Sequence, residues 1–448
     1  MGTGDKFKLF LMMLLEFAIW GAWLPLIFGY LPGLNFTETQ QSIILNAFPA
    51  AAILGMFFSN QFADRNFAAE KFMAFSHLIG GAAIFGLAFV QDFWSFLGLM
   101  LVHCILYVPT ISIANSIAFT HMKDAEREFG IVRMGGTIGW ILAAWPFAFL
   151  LVDWSKVPAL ADVGFVAWLK TALGSSLQGD AAMKATTSTF KVAGIASFAL
   201  AFLSLTLPKT PPKIASPISK GPREGLAWLE AMRLLAKPFI FVLWMVTFID
   251  AAVHQCYFAW TGRFLVHCGI PGNWVMPIMS IGQIAEILTM AILGPVLIRL
   301  GWRTTMTIGV LGHAVRFAVF AYLPEYHGLI IGINVLHGVC YAFFFATVYI
   351  FVDAYLPKDA RASAQGLFNL MILGLGPLAA NFLAPYLHDT VFTTTAVAGD
   401  SINTLPQKIV DYKGLFTIPM FASVAAACLL IVFFWPPKKT DGENDVES

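Results

Sequence analysis

The chain has 448 residues, of which 58% are hydrophobic, 15% aromatic and only 12% charged, and its formal net charge is +1. A soluble domain carries roughly 25% charged residues, so this chain has too few to cover a water-facing surface. The near-zero net charge also excludes a large basic face for nucleic acid. The five cysteines show no C-x-x-C spacing, so we expect no disulfide framework, no metal site and no cofactor.

Twelve apolar windows follow one another along the chain, each long enough to cross a bilayer as a helix. The first begins at Phe7, is longer than a signal-peptide core and lacks a small-residue cleavage site, so we interpret it as a mature span. The predicted spans are 7–30, 42–62, 72–91, 94–118, 130–152, 188–207, 238–261, 274–298, 303–323, 327–352, 363–385 and 414–435. The sequence therefore predicts an all-α membrane protein with twelve transmembrane helices.

The longest polar stretch, 208–237, divides these spans into six and six, and its prolines and glycines exclude a continuous helix. We predict an N-terminal six-helix half at 1–207, a cytoplasmic linker at 208–237, a C-terminal six-helix half at 238–437 and a short cytoplasmic tail at 438–448. The loops after spans four and ten carry Lys123-Asp124-Ala125 and Lys358-Asp359-Ala360. Such matches at corresponding places indicate a parallel repeat, as in the major facilitator fold.

Lysine and arginine placement predicts the orientation. With the N-terminus inside, the inner segments hold 18 of the 27 basic residues, the outer segments hold 7, and Arg133 and Arg316 lie within spans. Both termini are therefore expected on the cytoplasmic side of a cell (inner) membrane. Two long outer loops, about 153–187 and 386–413, are of moderate polarity and are expected to be partly structured.

The strongest functional signal is Glu286, near the middle of span eight. A carboxylate at membrane depth costs at least ~2.5 kcal/mol on insertion scales and is tolerated where it faces a polar cavity. Gln283 lies one turn earlier on the same helical face. Burial favours the protonated acid and a nearby cation favours the carboxylate, a balance that a proton carrier needs. The alternative is a buried structural carboxylate paired with Arg133 or His337.

Other polar residues at membrane depth form short stripes. Arg133, Thr137 and Trp140 follow i, i+4, i+7 spacing in span five, although Arg133 is close enough to the cytoplasmic end to extend its side chain to water. In span seven, Asp250 and His254 are spaced i, i+4 and either neutralise each other locally or serve the site.

In span ten, His337 and Tyr341 are predicted to share one face. Glu16 and His103 are further polar residues within spans, while Asn115 and Arg316 are expected to bond neighbouring helices.

The chain resembles the nucleoside:proton symporters of the major facilitator superfamily over nearly all of its spans. Six segments carry the resemblance in the same order: Trp20-Gly21-Ala22-Trp23-Leu24, Pro109-Thr110 through Asn115, Arg133 through Gly139, Met279 through Glu286, Arg316-Phe317-Ala318 and Arg361 through Gly366. The resemblance implies a central nucleoside site that contains the positions matching Arg133, Thr137, Trp140, Gln255, Gln283 and Glu286.

The chain departs from that family pattern at four positions. It has Ala342 after an aromatic residue where well-known members have aspartate, and Phe258 where they have asparagine. It has His337 in place of a tyrosine and Glu16 in place of a neutral amide. A site that loses hydrogen-bonding partners loses discrimination, so the solute is open to a different nucleoside or another polar, ring-bearing compound.

We interpret the chain as a monomeric transporter, not an enzyme, that imports a nucleoside-like solute with H⁺ by alternating access. The predicted solute-binding residues are Arg133, Thr137, Trp140, Gln255, Phe258, Gln283, Glu286, His337 and Tyr341; the candidates for proton coupling are Glu286, Arg133, Glu16 and Asp250. Sugar or base transport and coupling to Na⁺ remain alternatives, as does a membrane-embedded solute sensor. A membrane-embedded enzyme is disfavoured because the sequence contains no catalytic H-x-x-x-x-D or D-D-x-x-D cluster.

Overall fold

The computed structural model describes residues 3–55, 67–122, 125–211, 232–355, 365–396 and 407–436 of the chain. The first part of the chain is helical apart from short connections. Its helices are α1 (Thr3–Gly33), α2 (Glu38–Leu45), α3 (Ala47–Leu54), α4 (Ala69–Gly86), α5 (Phe93–His121), α6 (Ala125–Ala144), α7 (Phe147–Leu150), α8 (Leu160–Val163), α9 (Phe165–Gly174), α10 (Gly179–Thr186) and α11 (Ser188–Ser204), with 3₁₀ turns at Leu87–Phe89 and Trp154–Lys156.

The second part of the chain adds helices and one small hairpin. Its helices are α12 (Pro238–His267), α13 (Val275–Tyr322), α14 (His327–Gly332), α15 (Leu336–Cys340), α16 (Thr347–Tyr355), α17 (Gly376–Tyr386) and α18 (Tyr412–Phe433), with 3₁₀ turns at Gly272–Trp274 and Ile333–Val335 and π-helical turns at Tyr341–Ala346, Leu370–Leu375 and Leu387–Val391. Strands β1 (Thr393–Ala396) and β2 (Gln407–Val410) pair antiparallel, with Thr393 opposite Val410. The hairpin and helices α8 to α10 confirm that both long loops, at about 153–187 and 386–413, are partly structured.

The described residues contain ten helical segments that are long and apolar enough to cross a membrane. One of them, Gly272–Tyr322, contains predicted spans eight and nine as two helices that meet at a non-helical residue, Gly301. The chain bends within it at Gly301, whose φ of 72° lies in the left-handed region that glycine adopts without strain.

Predicted span two is described only in part, because residues 56–66 lie outside the described ranges. Its helix begins at Glu38 rather than at the predicted residue 42, since Thr37 and Gln40 form a capping box there. It also breaks at Asn46, between α2 and α3. The predicted linker 208–237 is described only at its ends, and the predicted tail 438–448 lies outside the described residues.

Close packing of two helices brings the first candidate residues inside the molecule. Helix α1 packs along α6 and also contacts α11 and α12. A Cβ atom at Gly139 would collide with the carbonyl oxygen of Leu14 on α1, so only glycine permits this approach. Arg133, Thr137 and Trp140 on α6 consequently lie beside α1 and near the first part of α13, which α6 also contacts.

Candidate functional site

Glu286 lies between α6 and the tenth predicted span. The hydroxyl of Thr137 is within hydrogen-bonding reach of its carboxylate, and Arg133 interacts with it electrostatically. Helix α15 approaches closely on the other side, since a Cβ atom at Gly338 would collide with the backbone nitrogen of Glu286. The carboxylate is thus placed beside one cation and one hydroxyl donor, both on α6.

Arg133 joins three parts of this site. Its guanidinium carbon lies 4.2 Å from the ring centroid of Phe17 on α1, a cation–π contact. The hydroxyl of Tyr341 is within hydrogen-bonding reach of the same side chain. Arg133 is therefore held inside the site among Phe17, Tyr341 and Glu286, whereas sequence reasoning left open that its side chain extends to cytoplasmic water.

Aromatic rings from different helices meet next to these polar groups. The rings of Trp140 on α6 and Phe258 on α12 lie 6.0 Å apart between centroids at an angle of 54°. Trp20 on α1 lies edge-on to Trp140 at 5.5 Å and is stacked on Phe48 at 4.6 Å. The structure thus brings Trp140 and Phe258 together and adds Trp20 beside them.

The two glutamines of the predicted site differ in their hydrogen bonding. Gln255 donates to Asn381 Oδ1 at 2.9 Å, and Asn381 in turn donates to the carbonyl of Leu45 at 2.9 Å. Gln283 is buried, and its Oε1 has no hydrogen-bond partner among the described residues. A buried acceptor without a partner costs about 1–3 kcal/mol, so Gln283 offers an unused hydrogen-bonding group beside Glu286.

His337 accepts a hydrogen bond from a buried arginine. Arg316 donates to His337 Nδ1 at 3.2 Å, which confirms that Arg316 bonds a neighbouring helix. The His337 ring lies 5.6 Å from Phe258 and 4.8 Å from Tyr257. Its contacts are thus separate from those of Tyr341, which starts a π-helical turn and reaches Arg133. The two residues predicted to share one face therefore line different parts of the site.

Asp250 and His254 do not form the local hydrogen bond that their spacing allows. Both Asp250 carboxylate oxygens and His254 Nδ1 lack hydrogen-bond partners among the described residues. Asp250 instead faces His313, with Oδ2 3.7 Å from Nε2. The His254 ring packs 4.7 Å from that of His337, directly behind the aromatic part of the site.

Glu16 belongs to a separate polar group between α1, α4 and α5. Its carboxylate lies 2.9 Å from His77 Nε2 and accepts a hydrogen bond from Thr110 at 2.8 Å, while Tyr107 donates to its backbone carbonyl at 2.6 Å. Ser197 on α11 completes the group at 3.1 Å from His77 Nδ1. The Glu16 carboxylate is thus engaged by both His77 and Thr110.

Sequence reasoning missed His77, His313 and Asn381, each fully or almost fully buried. For His77 and His313, the position of a histidine within an apolar span was a signal that could have identified them. His313 also precedes Arg316 by one helical turn. Which helix each side chain contacts is not encoded in the spacing along one helix, so their partners could not be read from the sequence. No cluster of metal-ligating side chains occurs within the part of the chain that the structure describes.

The sequence matches a family model described as "Nucleoside H+ symporter" over residues 1–161 and 152–439. Among curated proteins of Escherichia coli K12, it is 29% identical to "Putative nucleoside transporter YegT" over 97% of this chain and 94% of that protein. It is 27% identical to xanthosine permease over 84% of this chain and 86% of the relative.

The fold is similar to that of solved transporter structures. A crystal structure of a mutant of the nucleoside transporter NupG aligns with a TM-score of 0.76 at 23% identity, covering 96% of this chain and all of that one (100%). A crystal structure of a D-xylose-proton symporter aligns with a TM-score of 0.67 at 15% identity, covering 96% of this chain and 98% of that one. These likenesses establish the major facilitator fold predicted from the sequence.

Proposed function

We infer from the central site that this chain, which belongs to the nucleoside H+ symporter family, imports a nucleoside-like solute by proton-coupled alternating access. The proximity of Glu286 to Arg133 and Thr137 is the observation that carries this inference. It joins an acid of the proposed C-terminal half (238–437) to a cation and a hydroxyl of the proposed N-terminal half (1–207). A group that moves between partners in two halves can gain or lose its proton as the halves rearrange.

The solute is proposed to bind by ring stacking and hydrogen bonds. Trp140 and Phe258, 6.0 Å apart, provide aromatic faces for a planar base. The unpaired Oε1 of Gln283 accepts a hydrogen bond from the solute, and Thr137 and Gln255 add polar contacts. From the tenth predicted span, His337 borders the Phe258 side of the site and Tyr341 borders the Arg133 side.

A nucleoside is the solute class that the relatives favour, since both curated relatives above carry nucleoside or xanthosine transport in their names. The hydrogen-bonding side chains of the site differ from the family pattern at three positions, Phe258, His337 and Ala342. We therefore propose a nucleoside whose base is recognised mainly by stacking. A polar sugar or a free base is the alternative solute on the same site.

Proton coupling is proposed to centre on Glu286. In this proposal, Arg133 is the cation that pairs with ionised Glu286. Displacement of Arg133 by solute or by movement of the halves therefore favours proton uptake by Glu286. Glu16 and Asp250 are the other candidate acids, and the hydrogen bonds of Glu16 to His77 and Thr110 hold it in a polar group apart from Glu286.

The direct test is transport by purified protein in proteoliposomes. We expect uptake of a labelled nucleoside to exceed equilibrium when the outside is more acidic, and to stop when a protonophore removes the gradient. A thermal-shift screen against ribonucleosides, xanthosine, bases and sugars identifies the solute, because ligand at 100 times Kd stabilises by roughly 2.7 kcal/mol. Binding without transport would favour a solute sensor, and uptake driven only by sodium would move the coupling to Na⁺.

The proposed location is the inner membrane, as a monomer with both termini in the cytoplasm. The test uses single cysteines at Asp162 and Lys237, both exposed, in a variant without the five native cysteines. An impermeant thiol reagent added to intact cells should label Asp162→Cys and leave Lys237→Cys unlabelled. The reverse pattern would invert the orientation.

A further inference from the structure

A buried cluster of five ionisable side chains lies behind the aromatic part of the site. It consists of Asp250 and His254 on α12, His313 and Arg316 on α13, and His337 on α15, and we call it the histidine–arginine cluster. Asp250, His313 and Arg316 are completely buried, and His337 is 2% exposed. Four buried groups around a buried cation need a physical explanation, because unpaired charge inside a protein is costly.

Arg316 fixes where the protons of two histidines lie. A guanidinium group can only donate hydrogen bonds. It donates from NH2 to His313 Nδ1 at 2.8 Å and from NH1 to His337 Nδ1 at 3.2 Å. Both Nδ1 atoms must therefore present lone pairs, and both rings are neutral with their proton on Nε2. His313 Nε2 consequently directs a donor towards Asp250.

Asp250 lies just beyond hydrogen-bonding distance of that donor. The gap from Oδ2 to His313 Nε2 is 3.7 Å, whereas such a bond requires roughly 2.7–3.2 Å. Within the described ranges, neither carboxylate oxygen has another partner. A buried carboxylate without a donor is strongly disfavoured. The observed separation of Asp250 and His313 therefore fits a protonated Asp250, whereas an ionised Asp250 would require the two groups to be within hydrogen-bonding distance.

The surroundings of Asp250 make its ionisation depend on Arg316. On its own helix, His254 follows it by one turn and Tyr257 by two, and the Tyr257 ring lies 4.1 Å from the Arg316 guanidinium carbon. From α13 it faces His313 and interacts with Arg316, and Cys340 of α15 lies in the same buried region. Asp250 is the carboxylate that interacts with Arg316 among the described residues, so ionised Asp250 and Arg316 together are neutral.

We propose that Asp250 is a second proton-binding site, and that His313 and Arg316 transmit its protonation to His337 at the solute site. Proton release from Asp250 closes the gap to His313, which moves Arg316 and, with it, the His337 ring. That ring lies 5.6 Å from Phe258, one of the proposed stacking residues. The proposal rests on the proposed function only in naming what His337 contacts; proton binding itself is independent of the solute.

The test is an infrared pH titration of the buried carboxyl bands of the purified protein, with no solute added. We expect Asp250→Asn to remove one titrating band and Glu286→Gln to remove another. His313→Gln should shift the Asp250 titration by about one pH unit, equivalent to 1.36 kcal/mol, and leave that of Glu286 in place. Asp162→Asn, at an exposed position, is the control that changes neither.

Two results would reject the proposal. If Asp250→Asn retains every buried carboxyl band of the wild type, Asp250 does not bind a titratable proton. If His313→Gln leaves the Asp250 band unshifted, the relay is absent; this variant also provides the test should Asp250→Asn fail to fold. Because no solute is present, failure of nucleoside transport would overturn the proposed function and leave these results standing.

Discussion

At the scale of single residues, Glu286 and Glu16 form a contrasting pair of acids within the spans, Glu286 partly exposed and Glu16 completely buried. Glu286→Gln preserves shape and hydrogen bonding while fixing the neutral state, so exchange of solute without a gradient should survive in part. Uptake driven by a pH gradient should fall to background, because the amide has no proton to release. Both are measured with labelled nucleoside in proteoliposomes.

Glu16→Gln is the matched control, because Glu16 is an acid within a span whose carboxylate is hydrogen-bonded to His77 and Thr110. We expect this variant to retain most gradient-driven uptake. Concentrative, pH-dependent uptake in Glu286→Gln, together with its loss in Glu16→Gln, would transfer the proton-carrying role to Glu16.

Trp140 is the second residue whose role can be measured directly. Stacking of a base on an aromatic ring is worth about 1–3 kcal/mol, and 1.4 kcal/mol is about tenfold in affinity. Trp140→Ala should therefore weaken nucleoside binding by about one order of magnitude in a calorimetric titration. Trp94→Ala, at a ring that is 77% exposed, should leave binding unchanged; equal losses in both would make Trp140 a packing residue.

Glu286 and Arg133 could be named as candidate site residues from the sequence alone. A charged residue in an apolar span costs free energy and is tolerated mainly where it has a partner or a function. Asp250 was identified on the same basis, but its partner was not. Its i, i+4 spacing to His254 suggested a local pair, whereas the structure places His313, 63 residues further along the chain, opposite its carboxylate. Contacts between helices depend on how each helix is rotated, which periodicity along one helix does not specify.

At the scale of secondary structure, the tenth predicted span contains a feature that its sequence does not reveal. Its helix changes to a π-helical turn at Tyr341–Ala346, where the hydroxyl of Thr347 bonds the carbonyl of Ala342 at 3.0 Å. Such turns are frequent at functional sites. The change of pitch explains why Tyr341 reaches Arg133 while His337, one turn earlier, contacts Arg316.

The close approach of α15 to Glu286 gives a prediction at this scale. Gly338→Ala places a methyl group against the Glu286 backbone, and such overpacking costs typically about 1–3 kcal/mol. We expect a lower thermal unfolding temperature and reduced gradient-driven uptake. Gly328→Ala, where the added Cβ meets no atom within 4 Å, should match the wild type in both; similar losses in the two variants would mean that Gly338 matters only for helix stability.

At the scale of the whole molecule, the major facilitator fold was predictable because long apolar helices are the simplest way to satisfy the backbone inside a membrane. Span lengths and the basic-residue asymmetry therefore indicated the class and an orientation. The break between spans eight and nine falls at Gly301, within the predicted connection from Arg299 to Arg303, and it is shorter than a loop. Contacts between distant segments, which decide how the molecule opens and closes, were not predictable.

One such contact lies at the proposed outer end, where Arg263 on α12 reaches α1. Its Nε donates to the carbonyl of Phe28 at 2.9 Å, and its NH1 pairs with Asp389 Oδ1 at 2.9 Å. Gln41 on α2 is a further neighbour, 3.5 Å from Asp389 Oδ2. The arginine and aspartate are 18% and 22% exposed, so the pair is partly shielded from water and is worth more than a surface ion pair.

If this contact holds the outer side closed, weakening it should expose the buried residues beneath. Ala259, 4% exposed and next to Arg263 in a small cavity, is replaced by cysteine and labelled with an impermeant thiol reagent. Asp389→Asn should raise the labelling rate, by about tenfold for each 1.4 kcal/mol lost from the closed state. Asp162→Asn removes an exposed outer carboxylate and should leave the rate unchanged. An unchanged rate in Asp389→Asn would mean that closure depends on the apolar packing of α1 against α12 rather than on the ion pair.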